Sequence, residues 1–148
     1  MFHMLKNSTH HIYLEQNDDK VIIEKFNEKQ QYIILEQIND LPQSGFTVFN
    51  HLYVNPSFEK DFERLFLNRN RHLKSSEGFE SLLFLKPQTK HAHYVIVTVW
   101  TDETTYQQWQ NSKEYKASHH KRGTDSGSDK NIVNRKLSFN ISLDLTDS

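Results

Sequence analysis

The stretch Tyr94–Trp100, YVIVTVW, constrains the fold more than any other part of the chain. It is apolar apart from Thr98 and rich in β-branched residues, the pattern of a strand covered on both faces. Such a strand belongs near the centre of a sheet, so its neighbours must flank it on both sides. Gly45–Val54 is a second strand by alternation, with Val48, Asn50, Leu52 and Val54 on one face and Phe49, His51 and Tyr53 on the other. Glu80–Lys86 is a third. Near the C-terminus, Leu137, Phe139, Ile141 and Leu143 alternate with polar residues, as expected of a half-exposed fourth.

Helices fall between these strands. Asn55-Pro56 offers an N-cap and a first-turn proline to a helix on which Phe58, Phe62, Leu65, Phe66, Arg69 and Leu73 share a face, with Gly78 as a stop beyond it. Asp102 can cap a helix with Glu103 in its first turn. Ser112 can cap another through Tyr115 and His119 to about Arg122, followed by a loop over Gly123–Asn131. From Phe46 the order is β-α-β-β-α-β. This predicts an α+β, ferredoxin-like antiparallel sheet with helices on one face.

The first 40 residues carry short strand-like runs at Ile12–Glu15, Val21–Phe26 and Tyr32–Ile38, and turn formers cluster from Asn39 to Gly45. The expected organisation is a β-rich extension over 1–44 packed on a main domain over 45–148. A chain of 148 residues buries one core of ordinary size, here rich in rings, with 10 Phe and 6 Tyr. A formal net charge of -1 provides no basic field for nucleic acid or an anionic membrane. No apolar run reaches the ~18 residues of a membrane span or the length of a signal peptide, which predicts a cytoplasmic protein. With no cysteine, strong metal ligands are restricted to His, Asp and Glu.

Some polar residues do not fit simple packing. Asn50 stands in an aliphatic row, where its amide must bond to backbone or face a ligand. Arg69 lies inside the apolar stripe of its helix, so its guanidinium either snorkels to water or meets a ligand carboxylate. His119 shares a helix face with Tyr115 and Arg122, whereas His120 points about 100° away. A lone histidine there is a surface residue, a core-satisfied one or a ligand. Tyr106 and Trp109 read by default as core aromatics. His91-Ala92-His93 and His10-His11 provide no third metal ligand. Gly-rich phosphate loops, GxSxG and HExxH are absent from the sequence.

The blocks GFTVFNHLYV (45–54), EGFESLLFLKP (77–87), YVIVTVW (94–100) and YQQWQNSKEYKASHHKR (106–122), in that order, resemble the IsdG-type bacterial heme-degrading monooxygenases of the antibiotic biosynthesis monooxygenase superfamily. The N-terminal extension makes the chain most similar to the HmoB and TRAP-like branch. The resemblance implies heme as both cofactor and substrate, O2, and an electron-donating reductase as partner. It implies Asn50, Trp109 and His119 as the catalytic set, with His119 on the heme iron, Asn50 beside the distal ligand and Trp109 pressing on the porphyrin. Arg69, Tyr115 and Arg122 are the further residues expected to line the heme. A TRAP-like heme-binding or signalling protein without turnover and a cofactor-free quinol-type monooxygenase remain open on the same resemblance. Because the extension can cover the apolar sheet face of Val48, Leu52 and Val54 that a second copy would otherwise cover, a monomer is expected over a homodimer.

Overall fold

The structure, a computed structural model, describes residues 2–67, 73–89, 92–111 and 132–146. Among these residues eight strands run as β1 Phe2–Lys6, β2 His11–Asn17, β3 Lys20–Lys25, β4 Glu28–Ile38, β5 Gly45–Val54, β6 Phe79–Pro87, β7 Tyr94–Trp100 and β8 Val133–Thr146. Among the described residues two helices, α1 Glu59–Leu67 and α2 Glu103–Gln110, follow β5 and β7.

The strands close into a barrel in the order β1-β2-β3-β4-β6-β7-β5-β8, every pairing antiparallel. The segment β6-β7-β5-β8 is the ferredoxin-like sheet, with β7 inside it as its apolar run requires. The N-terminal strands extend this sheet at both edges, where β4 pairs with β6 and β1 pairs with β8. Closure leaves no strand edge open among the described residues. β1 was not expected from the sequence, because its five residues, FHMLK, are too short and mixed to show a period.

Two cores result. The barrel interior holds Leu5, Ile12, Leu14, Val21, Ile23 and Tyr32 from the N-terminal strands against Phe49, Leu83, Leu85, Val95, Val97, Val99, Leu143 and Leu145. Desolvation there pushes the Tyr32 phenol up to about 12. The second core lies on the outer face of the sheet, where Leu52, Val54, Leu82, Phe84, Tyr94, Ile96 and Trp100 meet Phe62 and Phe66 of α1 and the half-buried Tyr106 and Trp109 of α2. The row Val48, Leu52, Val54 was expected beneath the extension. Leu52 and Val54 instead belong to the helix side, and it is the opposite row, with Phe49, that the N-terminal strands cover.

Local signals explain the helices. Asn55 accepts from the Ser57 amide at 3.1 Å and opens a 3-10 turn over Pro56–Phe58 that leads into α1. Phe62 and Phe66 are buried as anticipated, but Leu65 is 44% exposed and Leu73 belongs to a separate 3-10 turn, Leu73–Ser75. Asp102 caps α2 by accepting from the Thr105 amide at 2.9 Å. Gly78 does not end a helix. It sits before β6 at φ +82, where a Cβ would come within 2.4 Å of the Thr105 side chain, so only glycine allows α2 to start this close to the sheet. Among the described residues no helix is long and apolar enough to cross a membrane.

Candidate functional site

The outer face of the ferredoxin-like sheet carries two aromatic lobes. Under α1, the Phe62 ring packs on Phe84 and Tyr94 at 5.7 and 5.1 Å, and Phe66 on Phe84 at 4.1 Å. The Tyr94 hydroxyl donates to Glu63 at 2.5 Å, and Lys86 holds the same carboxylate at 2.9 Å. Burial, then the hydrogen bond and charge of Glu63, raise the Tyr94 phenol far above its ordinary value, so it stays a protonated donor. Under α2, Trp100 packs at a tilt against Trp109 at 5.4 Å and edge-on against Tyr106 at 5.7 Å, and the Trp100 indole donates to Thr98 Oγ1 at 3.1 Å.

Asn50 lies between the lobes. It is opposite Ile96 on β7, while Phe46, earlier on β5, is opposite Trp100, so about 13 Å of strand separates the Asn50 row from the Trp100–Trp109 stack. Asn50 and Thr98 are both half-buried, flanked by buried Val48, Leu52 and Ile96. The Asn50 side-chain amide has no hydrogen-bond partner among the described residues. On the β8 side its cross-strand neighbour, Asn140, is exposed. The arrangement is an apolar, ring-walled surface with one uncommitted amide, suited to a flat, largely apolar ligand that needs a single directed hydrogen bond.

Of the residues singled out from sequence, the structure brings Asn50 and Trp109 to the same face of the sheet. Arg69, Tyr115, His119 and Arg122, with His120 and His91, lie outside the described residues. Among the described residues no group of three His, Asp or Glu side chains could hold a metal ion. Two arrangements escaped the sequence reading. The Tyr94–Glu63–Lys86 chain joins residues of three elements and has no local signature. The Lys25–His51 contact on the other side of β5 had a partial signal, a histidine between Phe49 and Tyr53.

Residues 45–121, just over half of the chain, match the model of the antibiotic biosynthesis monooxygenase family. The chain belongs to this family. Solved structures with the same fold include a major regulator of staphylococcal pathogenesis, at TM-score 0.72 and 15% identity over 100% of this chain and 85% of that one. A heme-degrading enzyme from Listeria monocytogenes, LmHde, matches at TM-score 0.62 and 16% identity over 96% of this chain and 82% of its own. A ferredoxin-fold protein from Listeria monocytogenes related to antibiotic biosynthesis monooxygenases matches at TM-score 0.63 and 17% identity, covering 99% and 81%. At these identities the likeness is one of fold.

Proposed function

We propose that this family member is a heme-degrading monooxygenase whose substrate is heme, bound on the outer sheet face between α1 and α2. The observation that carries the reading is the Asn50 amide, half-buried on an apolar surface with no protein partner among the described residues. The amide is partly open to solvent, and a ligand with an oxygen on that side would take the place of water there and give the amide a directed partner. Half-buried Trp109 and Tyr106 leave ring surface on this face for a flat conjugated plane. LmHde supports the reading as a heme-degrading enzyme of the same fold.

Bound heme supplies the iron at which dioxygen is activated with electrons from an external reductase. His119 would hold the iron, and Arg69, Tyr115 and Arg122 would line the ligand, with Arg69 suited to one of its carboxylates. The Asn50 amide would donate a hydrogen bond to an oxygen of the bound ligand and so orient it. Trp109, braced against Trp100 and Tyr106, would pack against the ring.

Heme titration followed by reductant and oxygen tests this. The expected result is an imidazole-ligated spectrum whose Soret band decays on turnover, and an Asn50→Ala protein that binds heme to a similar extent but loses the decay. No heme binding overturns the proposal in favour of a cofactor-free quinol-type monooxygenase. Stable heme through reductant and oxygen overturns it in favour of a storage or signalling role.

A further inference from the structure

Directly after Asn50, β5 turns its next side chain to the opposite face. His51 is 2% exposed and lies at one end of the barrel interior, with the Phe139 ring stacked on it at 4.4 Å and 10°. The His93 ring meets both His51 and Tyr53 edge-on, at 6.3 and 5.5 Å. At this end Phe139 is 46% exposed, so its ring borders solvent at the mouth of the barrel.

The proton on His51 follows from its partners. Nδ1 lies 3.2 Å from the Phe49 carbonyl, which can only accept, so Nδ1 carries the hydrogen and Nε2 presents a lone pair. Lys25 Nζ lies 2.6 Å from that Nε2 and donates to it. The same amine sits 5.7 Å from the Phe139 ring centroid. Lys25 is half-buried and has no carboxylate within ion-pair distance among the described residues. A strand-end lysine ordinarily extends into water; this one is turned inward and aimed by a neutral imidazole.

We propose that this mouth is a carbonyl-capturing site, in which a small aromatic aldehyde lies against the Phe139 ring and condenses with Lys25 Nζ to form an imine. Desolvated lysines at such positions serve as amine nucleophiles, and the exposed ring gives the ligand a flat surface to stack on. Burial lowers the pKa of Lys25, against the opposing charge of Glu28 across the hairpin, and so enlarges the share of free amine. His51 does not keep the released proton. Burial and then the Lys25 charge drive its pKa down to about 3, so the proton passes to solvent while the imidazole orients the amine.

In the condensation the Nζ lone pair forms the new C–N bond, and the two protons of the neutral amine leave with the carbonyl oxygen as water. No oxidant or reductant is consumed. The site lies on the opposite side of β5 from the proposed heme surface and does not depend on that reading.

The test uses the full-length chain with 4-formylbenzoate and cyanoborohydride at pH 7, where hydride reduces any imine to a stable secondary amine, followed by peptide mapping. The expected result is labelling of Lys25 several-fold faster than of exposed Lys20 and Lys29, with its pH midpoint below theirs. Lys25→Arg should abolish only that modified peptide, leaving Lys20 and Lys29 unchanged. Labelling of Lys25 at the rate of Lys20 and Lys29, or more slowly, overturns the proposal. Equal preference for Lys25 with acetaldehyde overturns the aromatic part of it.

Discussion

Removing residues 2–44 would open the barrel on both sides of the ferredoxin-like sheet. Phe49, Leu83, Leu85, Val95, Val97, Val99, Leu143 and Leu145 would lose the cover of β1–β4, and each is now at most 3% exposed. At about 1.5–3 kcal/mol per buried side chain, exposing the whole set forfeits on the order of 10–25 kcal/mol. That equals or exceeds the roughly 5–15 kcal/mol that keeps a domain folded. The edges of β6 and β8 would also lose their partners. The truncated chain is therefore expected to dimerise, sheet face on sheet face, or to precipitate, whereas the full-length chain should be monomeric. Gel filtration with light scattering on both proteins reads the outcome. A well-behaved truncated monomer would refute the reasoning, and so would a full-length dimer.

Two further predictions concern histidines. His119→Ala should abolish imidazole ligation of heme while His120→Ala leaves it nearly intact, because on a helix the two side chains diverge by about 100°; equal losses in the spectral titration would remove the assignment. His51 is neutral in the folded chain, with its pKa at about 3 against 6.5 unfolded, so the unfolded state binds the proton more readily. Its contribution to stability is complete above about pH 6.5 and is lost as pH falls from there toward 3. Urea midpoints between pH 7 and 5 should fall more steeply for the native chain than for His51→Gln, and parallel slopes would contradict the buried neutral imidazole.

The elements from Phe46 onward were legible because their signals are local: alternation in β5, the unbroken run of β7, and the caps at Asn55 and Asp102. The side-chain rows of β5 were also legible, since a period of two fixes them. Which layer covers which row was not. Both rows of β5 are largely apolar, and only the pairing of β4 with β6 and β1 with β8 decides that Phe49 faces inward and Leu52 faces the helices. The exposed Leu65 shows the same limit, since helical spacing placed it at the stripe's edge and the adjoining layer decided its fate. Asn50 stood out because an amide in an aliphatic row is conspicuous. Lys25 could not, because its partner is 26 residues away and the hairpin that aims it leaves no trace in composition.

Closing the barrel within one chain frees it from a constraint that a symmetric pair must obey. In a two-fold dimer every substitution at the seam appears twice and must suit its own copy. Here the joints are β4 on β6 and β1 on β8, between segments of different sequence, so either side of a seam can change without altering the other. The N-terminal strands can thus diverge, and Lys25 on β3 can take up a position against β5, without placing a second lysine anywhere else in the barrel.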